Sequence, residues 1–414
     1  MANALNNVKD AGAVIAKLAA AMLADKLQFI KSIDHEPAET FGKVNGFNTG
    51  DTVYVSKPAR FEVGSTADIT SAIQDVTEEK VALTVDQRAV IGVDMTSLQI
   101  QNQLSLQQWS KRILEPKISG MAQQIEADTL TMAKNKTYNS VGTAGSTVFN
   151  TTTMLDAGVK LSQGLAPDDG EWKALLDPLA MASAVDARKG LFQSSSAISE
   201  QYKQGFIGQS DGFTYLRNNL LPRHTLGADV SGIAVEADVV AISNGMTTLG
   251  VDGVTSGATI TAGTVFTIAS VYAVHPITKA TLPHLQQFVA TASVTETASN
   301  QVTIAISPAI YYTTTDPRQN VNLAPVDEAA LVFVGSASTA YTQQLVYHPS
   351  AFRFVSVPLM LPKRAEMAAQ ETVDGITIRV WQDSAILTDK MIMRVDCLYG
   401  FAAIRPEFAC RITS

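Results

Sequence analysis

The side chains with the most chemical scope in this 414-residue chain are two cysteines, Cys397 and Cys410, and five histidines: His35, His224, His275, His284 and His348. An ionised thiol can attack or bind metal, and an imidazole can bind metal or carry a proton near neutral pH. A structural zinc needs four such ligands at short, repeated spacings. No histidine stands at that spacing from another or from a cysteine, and no H-E-x-x-H is present. His275 and His348 are each followed by proline, which marks strand ends. Asp34, His35 and Glu36 bring acid and base together, but consecutive loop residues point in different directions. There is no phosphate-loop signature, "GQSDGF" is not a nucleophile elbow, and Gly205 and Gly208 are too sparse to cradle a phosphate. The sequons at Asn135 and Asn150 count only in a secreted protein. The expectation is no catalytic residues, no cofactor and no metal.

Charge narrows the partners. With 31 basic and 39 acidic residues the net charge is 31 − 39 = −8, which argues against a broad nucleic-acid surface. No aromatics interleave with a basic run, as single-strand binding would require. A composition 46% hydrophobic and 17% charged is globular, and the length predicts two or more domains. The N-terminal run "MANALNNVKDAGAVIAKLAAAMLADKLQFI" lacks a basic start and is broken by Lys17, Asp25 and Lys26. It is expected to be neither signal peptide nor membrane span, but a helix with Val14, Leu18, Met22 and Leu27 near one face.

Two alternating runs come next, "DTVYVSKPARFEVG" and "VALTVDQRAVIGVDM", separated by an acidic, Thr-rich stretch. They predict an extended hairpin. From Leu104 to Lys136 the apolar spacing is helical, with Leu106, Trp109, Ile113, Met121 and Ile125 in phase and Pro116 predicting a bend. "TTTMLDAGVKLSQGLAP" predicts a helix, and "EWKALLDPLAMASAVDARKGLF" a strand followed by a short helix. Between Ala228 and His348 the only basic residues are Lys279 and Arg318. There "GTVFTIASVYAV", "QFVATASV" and "QVTIAIS" alternate with period two, which predicts a small β-barrel or sandwich inserted into a mixed α/β body. The chain closes with "RVDCLYGFAAIRPEFACRITS", where Cys397 shares a strand face with Met391, Met393 and Val395 and so reads as a buried structural thiol.

This order of elements resembles the major capsid proteins of short-tailed double-stranded DNA bacteriophages with the HK97-like fold, in the branch carrying an inserted β-barrel. The stretches that carry the resemblance are "VYHPSAFRFVSVPLMLP", "AGTVFTIASVYAVHP" and "MRVDCLYGFAAIRPEFACRI", the last with Tyr399-Gly400 and Arg405-Pro406-Glu407. It implies an α+β fold divided into an N-terminal arm helix over 1–40, an E-loop over 41–97 and a P-domain with the spine helix over 98–150. An A-domain over 151–227 and 347–390 would flank a barrel over 228–346, with a closing P-domain strand over 391–414. It also implies a non-catalytic shell subunit that forms hexamers and pentamers with itself. Scaffolding and portal proteins would be its partners, and it would enclose double-stranded DNA without sequence-specific binding or membrane contact. Assembly would take place in the host cytoplasm and the product would be the virion capsid.

Within that picture Lys57, Arg60, Glu78, Glu79 and Lys80 on the hairpin are candidates for pairing between subunits. "SNGMTTLGVDG", with Asn244, Gly245 and Asp252, is the candidate loop projecting to a neighbouring capsomer. Arg405 and Glu407, on either side of Pro406, form a candidate local or subunit-facing pair. Two other classes compete: a cytoplasmic enzyme with a small β-domain, which needs a polar constellation, and a β-rich surface or adhesin protein, which needs a secretion signal.

Overall fold

The computed structural model describes residues 8–37, 50–58, 78–96, 113–145, 151–188, 208–228, 231–297, 300–385 and 390–413. They form two compact units. The first gathers 1–56, 80–129 and 352–404, and the second 57–79, 130–351 and 405–414.

In the first unit everything is organised around Lys390–Ala403, a strand of 14 residues. One edge pairs antiparallel with Gln87–Thr96, from Lys390↔Thr96 to Tyr399↔Gln87. The other edge pairs with Ile376–Ala385 in its first half and Phe352–Val357 in its second. Met393, Val395, Cys397 and Tyr399 are all buried, the period-two pattern of a strand with one face in the core. Helix α1 (Val8–Lys26) packs beside this sheet, burying Ala16, Ala19, Ala20 and Leu23, with Leu27 buried just past its end. Of the expected face, Leu27 is buried and Met22 half-buried, the side chain of Val14 lies outside the described residues, and Leu18 is the correction. Leu18 is 37% exposed, because small alanines let a helix axis approach a sheet and so define the buried stripe.

Helix α2 (Glu115–Lys136) buries Ile118, Met121, Ala122 and Ile125. Pro116 is the second residue of this helix and follows a π turn at Ile113 and Leu114, so the regular helix begins at the proline. Leu106 and Trp109 lie outside the described residues. The buried Glu126 carboxylate accepts the backbone N–H groups of Gln28 and Phe29, at 3.0 and 2.9 Å, and so satisfies the chain leaving α1.

The predicted hairpin is present at its base: Asp51–Ser56 pairs with Lys80–Val85 in unbroken register. Leu83 and Val85 are buried with Val355, Val357 and Leu398. The run read as one strand is two, Lys80–Val85 and Gln87–Thr96, interrupted at Asp86 and paired to different partners. Residues 59–77, with Arg60, lie outside the described residues.

The second unit holds a mixed sheet in the order Ser140–Val141, Ala409–Thr413, Ala340–Tyr347, Lys173–Leu176, Phe213–Arg217, Gln209–Ser210. Helix α3 (Thr151–Gln163) buries Met154, Ala157 and Leu161, spaced for one helical face. Helix α4 (Pro178–Arg188) starts with Pro178 and is capped by Asp177, whose Oδ1 accepts Ala180 N–H at 2.6 Å.

The same unit contains a six-stranded antiparallel sheet ordered Ala234–Val235, Met246–Asp252, Val302–Ile310, Thr281–Ala290, Val265–Val274, Leu331–Phe333. Its first and last strands meet. Leu331 N–H donates to Ile233 O and Val235 N–H to Ala329 O, at 2.9 and 3.0 Å, so the ladder closes on itself. Phe266, Phe288, Leu249 and Ile304 fill the interior.

Three expected boundaries are corrected by strand pairing. The closed sheet ends at Phe333, whereas Ala340–Tyr347 joins the mixed sheet. The strands within 352–385 belong to the first unit's sheet, with Gln87–Thr96 and Lys390–Ala403, and not beside Lys173–Leu176. The closing stretch is two strands, Lys390–Ala403 and Ala409–Thr413, parted by a single 3₁₀ turn at Pro406–Phe408. Proline stops the first ladder because it has no N–H to offer.

Candidate functional site

The second unit has a cleft of about 440 Å³. Its charged lining comes from Lys57, Glu79, Lys160, Arg318, Arg405 and Glu407, residues scattered over most of the sequence. Local geometry explains how each arrives. Lys57 and Glu79 are the first residues beyond the two hairpin strands. Lys57 N–H donates to Glu79 O at 2.7 Å, and Lys57 Nζ lies 3.7 Å from Glu79 Oε2. Lys160 stands in the last turn of α3, where burial lowers the pKa of its ammonium. Arg405 lies over the Phe408 ring at 5.2 Å, and the Glu407 carbonyl accepts Asn139 Nδ2–H at 3.4 Å.

Arg318 is the best anchored of the group. Its Nε and Nη2 donate to the two Asp316 oxygens, both at 3.0 Å, and Nη1 donates to the Tyr311 hydroxyl at 3.2 Å. Its guanidinium covers the Tyr311 ring at 4.3 Å. Burial works to raise the Asp316 carboxyl, yet the Arg318 bonds hold it below the usual range. Burial, reinforced by Glu79, raises the Tyr311 phenol. Asp316 Oδ2 also accepts Asn244 Nδ2–H at 3.0 Å, and Asn244 Oδ1 accepts the N–H groups of Tyr312 and Thr313. Burial lowers the pKa of His284 on the cleft wall.

Lys57, Glu79, Arg405 and Glu407 thus share one cleft, and Asn244 braces it through Asp316 and Arg318. Glu78 and Lys80 are exposed beside Glu79. The expected projecting loop is overturned: Met246–Asp252 is a strand of the closed sheet with Leu249, Gly250 and Val251 buried. A Cβ on Gly250 would sit 2.5 Å from Glu236 O, so close backbone approach, not projection, requires the glycine there. Gly245 adopts φ +83 in the turn before that strand, facing Tyr311. Asp252 ends the strand, among the side chains of Glu236 and Glu328. Reading the sequence missed Tyr311, Asp316 and Arg318. The available signal was "DPR" at 316–318, one of only two basic positions between Ala228 and His348.

The first unit concentrates charge differently. Asp396 is fully buried and meets three guanidiniums: Arg394 Nε at 2.7 Å, Arg88 Nη2 at 3.3 Å and Arg379 Nη2. Burial alone would raise its carboxyl, but bonds from Arg379 and Arg394 and the charge of Arg88 outweigh that and lower it.

Two trios, Asp169–Glu171–His348 and Glu236–Asp252–Glu328, bring possible ligand atoms within 4.8 Å of one another. His348 Nε2 lies 3.0 Å from Asp169 Oδ2, and its hydrogen bond holds the Asp169 carboxyl below the ordinary range. Both cysteines are free and buried, and burial pushes each thiol up to about 12, far from a reactive thiolate. No helix among the described residues is long and apolar enough to cross a membrane.

A family model described as "P22 coat protein - gene protein 5" matches residues 38–411. No curated protein matches. Among solved structures, a chain of Mycobacterium phage Che8 is 12% identical, with 93% of this chain and 90% of that one covered and a TM-score of 0.45. The capsid of Ralstonia phage GP4 gives 8% identity, 92% and 87% coverage and a TM-score of 0.45. The capsid of cyanophage P-SCSP1u gives 11%, 92% and 88%, and 0.43.

Proposed function

This chain belongs to the P22 coat protein family, a structural and non-enzymatic phage major capsid protein whose copies assemble into virion shells, and from that premise we propose how it does so. The observation that carries the capsid assignment is the family match over 38–411. The mixed α+β fold is of the HK97-like class, and the closed sheet spanning residues 234–333 acts as the domain inserted into it. The hairpin based at Asp51–Ser56 and Lys80–Val85 serves as the arm laid across a neighbouring subunit.

The contacts between copies centre on the charged cleft. Lys57, Glu78, Glu79 and Lys80 on the arm, with Arg405 and Glu407, present exposed or half-exposed charges that a neighbour can pair without first being stripped of water, and Arg60 joins them by its place in the sequence of the arm. Asn244, Gly245 and Asp252 act otherwise: the first two shape the wall around Arg318, and Asp252 ends a strand. Each exposed pair contributes only about 0–1 kcal/mol, so repetition over the shell supplies the cohesion. Assembly proceeds in the host cytoplasm on a scaffolding protein, with a portal at one vertex, and the shell of this short-tailed phage encloses double-stranded DNA without reading its sequence. A net charge of −8 supports that last point, since an acidic wall does not hold packaged DNA.

The test is co-expression with the neighbouring phage genes, followed by sedimentation and negative-stain microscopy. Closed shells of uniform size are the expected result. A chain that stays monomeric with and without a scaffolding protein would overturn it.

A further inference from the structure

Strand Ala409–Thr413 carries an arginine into the interior of the second unit. Arg411 is 1% exposed. Its Nη1 donates to Gly263 O at 2.9 Å, while Nε and Nη2 have no hydrogen-bond partner among the described residues. A guanidinium keeps its proton in proteins, so burial does not neutralise it but creates a demand for negative charge. An uncompensated buried ion costs several kcal/mol.

Among the described residues, the ionisable groups that act on Arg411 supply no such charge. Cys410 is a thiol held neutral by burial. Lys134, lowered by burial and by Arg411 to about 8, is still mostly an ammonium at neutral pH. His224 is brought to about 3 by burial, Arg411 and Lys134, and is therefore neutral. The Thr264 hydroxyl already donates to Thr261 O at 2.7 Å, so its oxygen accepts from His224 Nε2 at 3.2 Å. In a chain of net charge −8, this buried spot is positive.

Two further features shape the spot. Asn135 Oδ1 is buried without a partner among the described residues, and a half-turn of that amide presents Nδ2–H instead. Gly263 has φ +91, and a Cβ on it would stand 2.7 Å from Asn135 Oδ1 and 3.2 Å from Lys134 Cε. The glycine keeps side-chain bulk out of the place where these groups converge.

We propose that Arg411, Lys134 and Asn135 bind one small inorganic anion, held between strand Ala409–Thr413, the end of α2 and the turn at Gly263. Arg411 Nε and Nη2 donate to it, Lys134 adds charge, and the Asn135 amide adds a neutral donor. The site lies within one unit and is independent of the shell reading.

The experiment uses the purified full chain. Melting temperature is followed as sodium chloride or sodium phosphate replaces sodium gluconate at constant ionic strength, for the native chain, Arg411→Met and Lys134→Met. A bound anion gives a saturable rise for the native chain. The rise should vanish in Arg411→Met and need at least tenfold more anion in Lys134→Met. Whichever salt saturates at the lower concentration identifies the anion as halide or phosphate. If Arg411→Met does not fold, Lys134→Met together with chloride-35 NMR line broadening decides: broadening lost in Lys134→Met supports the site. No saturable rise with either salt in the native chain, or an equal rise in Lys134→Met, overturns it.

Discussion

Asp396 and Glu79 both face basic side chains, and they show how burial assigns charge to folding or to contact. Asp396 stands directly opposite Arg379, two residues beyond Arg394 on its own strand, and diagonal to Arg88 on the next. Its side chain is wholly inside. Glu79 stands beyond the end of a hairpin strand with its side chain 40% exposed and one lysine 3.7 Å away. A carboxylate without water must have its hydrogen bonds supplied by the fold, and the three arginines are therefore committed to it. A half-wet carboxylate keeps part of its hydrogen bonding to water. The first cluster holds a sheet together; the second is the one proposed to meet a neighbouring copy.

The sharpest break of this comparison is Asp396→Asn. Removing one partner of a buried pair costs about 3–5 kcal/mol, here because three guanidiniums lose their acceptor. Urea unfolding of the monomer should show a loss of that size, and a loss under 1 kcal/mol would mean that Asp396 is no more committed to the fold than Glu79. Acid offers a second view of the same site. The folded pKa of Asp396 lies below the unfolded value of about 3.9, so its contribution is complete above that pH and is lost as the pH falls through the folded pKa. The native chain should therefore lose stability below about pH 4 more steeply than Asp396→Asn does.

Next in size is the double variant Cys397→Ala, Cys410→Ala. Trimming a buried side chain by about one heavy atom costs roughly 0.5–1.5 kcal/mol at each site. Shells should still form, because both thiols are packing groups with no exposed surface. Thiol labelling of the folded native chain should be negligible. A folded double variant that fails to assemble would place function in the buried strands and erase the distinction between the two regions.

Legibility followed range. "VFTIASVYAV" announced a strand because alternation is local, and Val265–Val274 is one. Cys397 was readable as buried by the same rule. Partners were not readable. Nothing in "FRFVSV" states that it pairs with Lys390–Ala403, and nothing in "AYTQQLVY" states that it pairs with Ala409–Thr413. Glycine in "TTLGVDG" suggested a loop, whereas at Gly250 it serves the close passage of another backbone segment. Arg405 and Lys57 could each be named as contact candidates, but their common cleft arises only when α3 and the closed sheet are folded around them.

Arg318→Ala tests the cleft wall at an intermediate scale. It removes a two-point pair with Asp316, a bond to Tyr311 and the cover over its ring. Bonds to charged groups contribute about 1.5–3 kcal/mol when buried, and partial exposure places this one near the lower bound, at about 1–1.5 kcal/mol. Asp316 would lose the contacts that hold its carboxyl down, so its NMR-titrated pKa should rise toward the ordinary value. An unchanged pKa would mean that Asn244, not Arg318, sets the charge there.

The smallest effect on folding should carry the largest effect on assembly, and it is read with a charge swap. Lys57→Glu and Glu79→Lys each place like charges 3.7 Å apart in a half-exposed pair, and each should cost no more than about 1 kcal/mol of monomer stability. The double swap restores opposite charges within the subunit, so its stability should return to within about 0.5 kcal/mol of the native chain. Shell yield separates the two roles. If Lys57 and Glu79 serve only each other, the swapped chain assembles as well as the native one. If a neighbour reads them, the swapped chain folds normally yet presents inverted charge, and sedimentation should show at least a several-fold fall in shells. Normal yield from the swap would return this pair to the same category as Asp396, charge spent within the subunit.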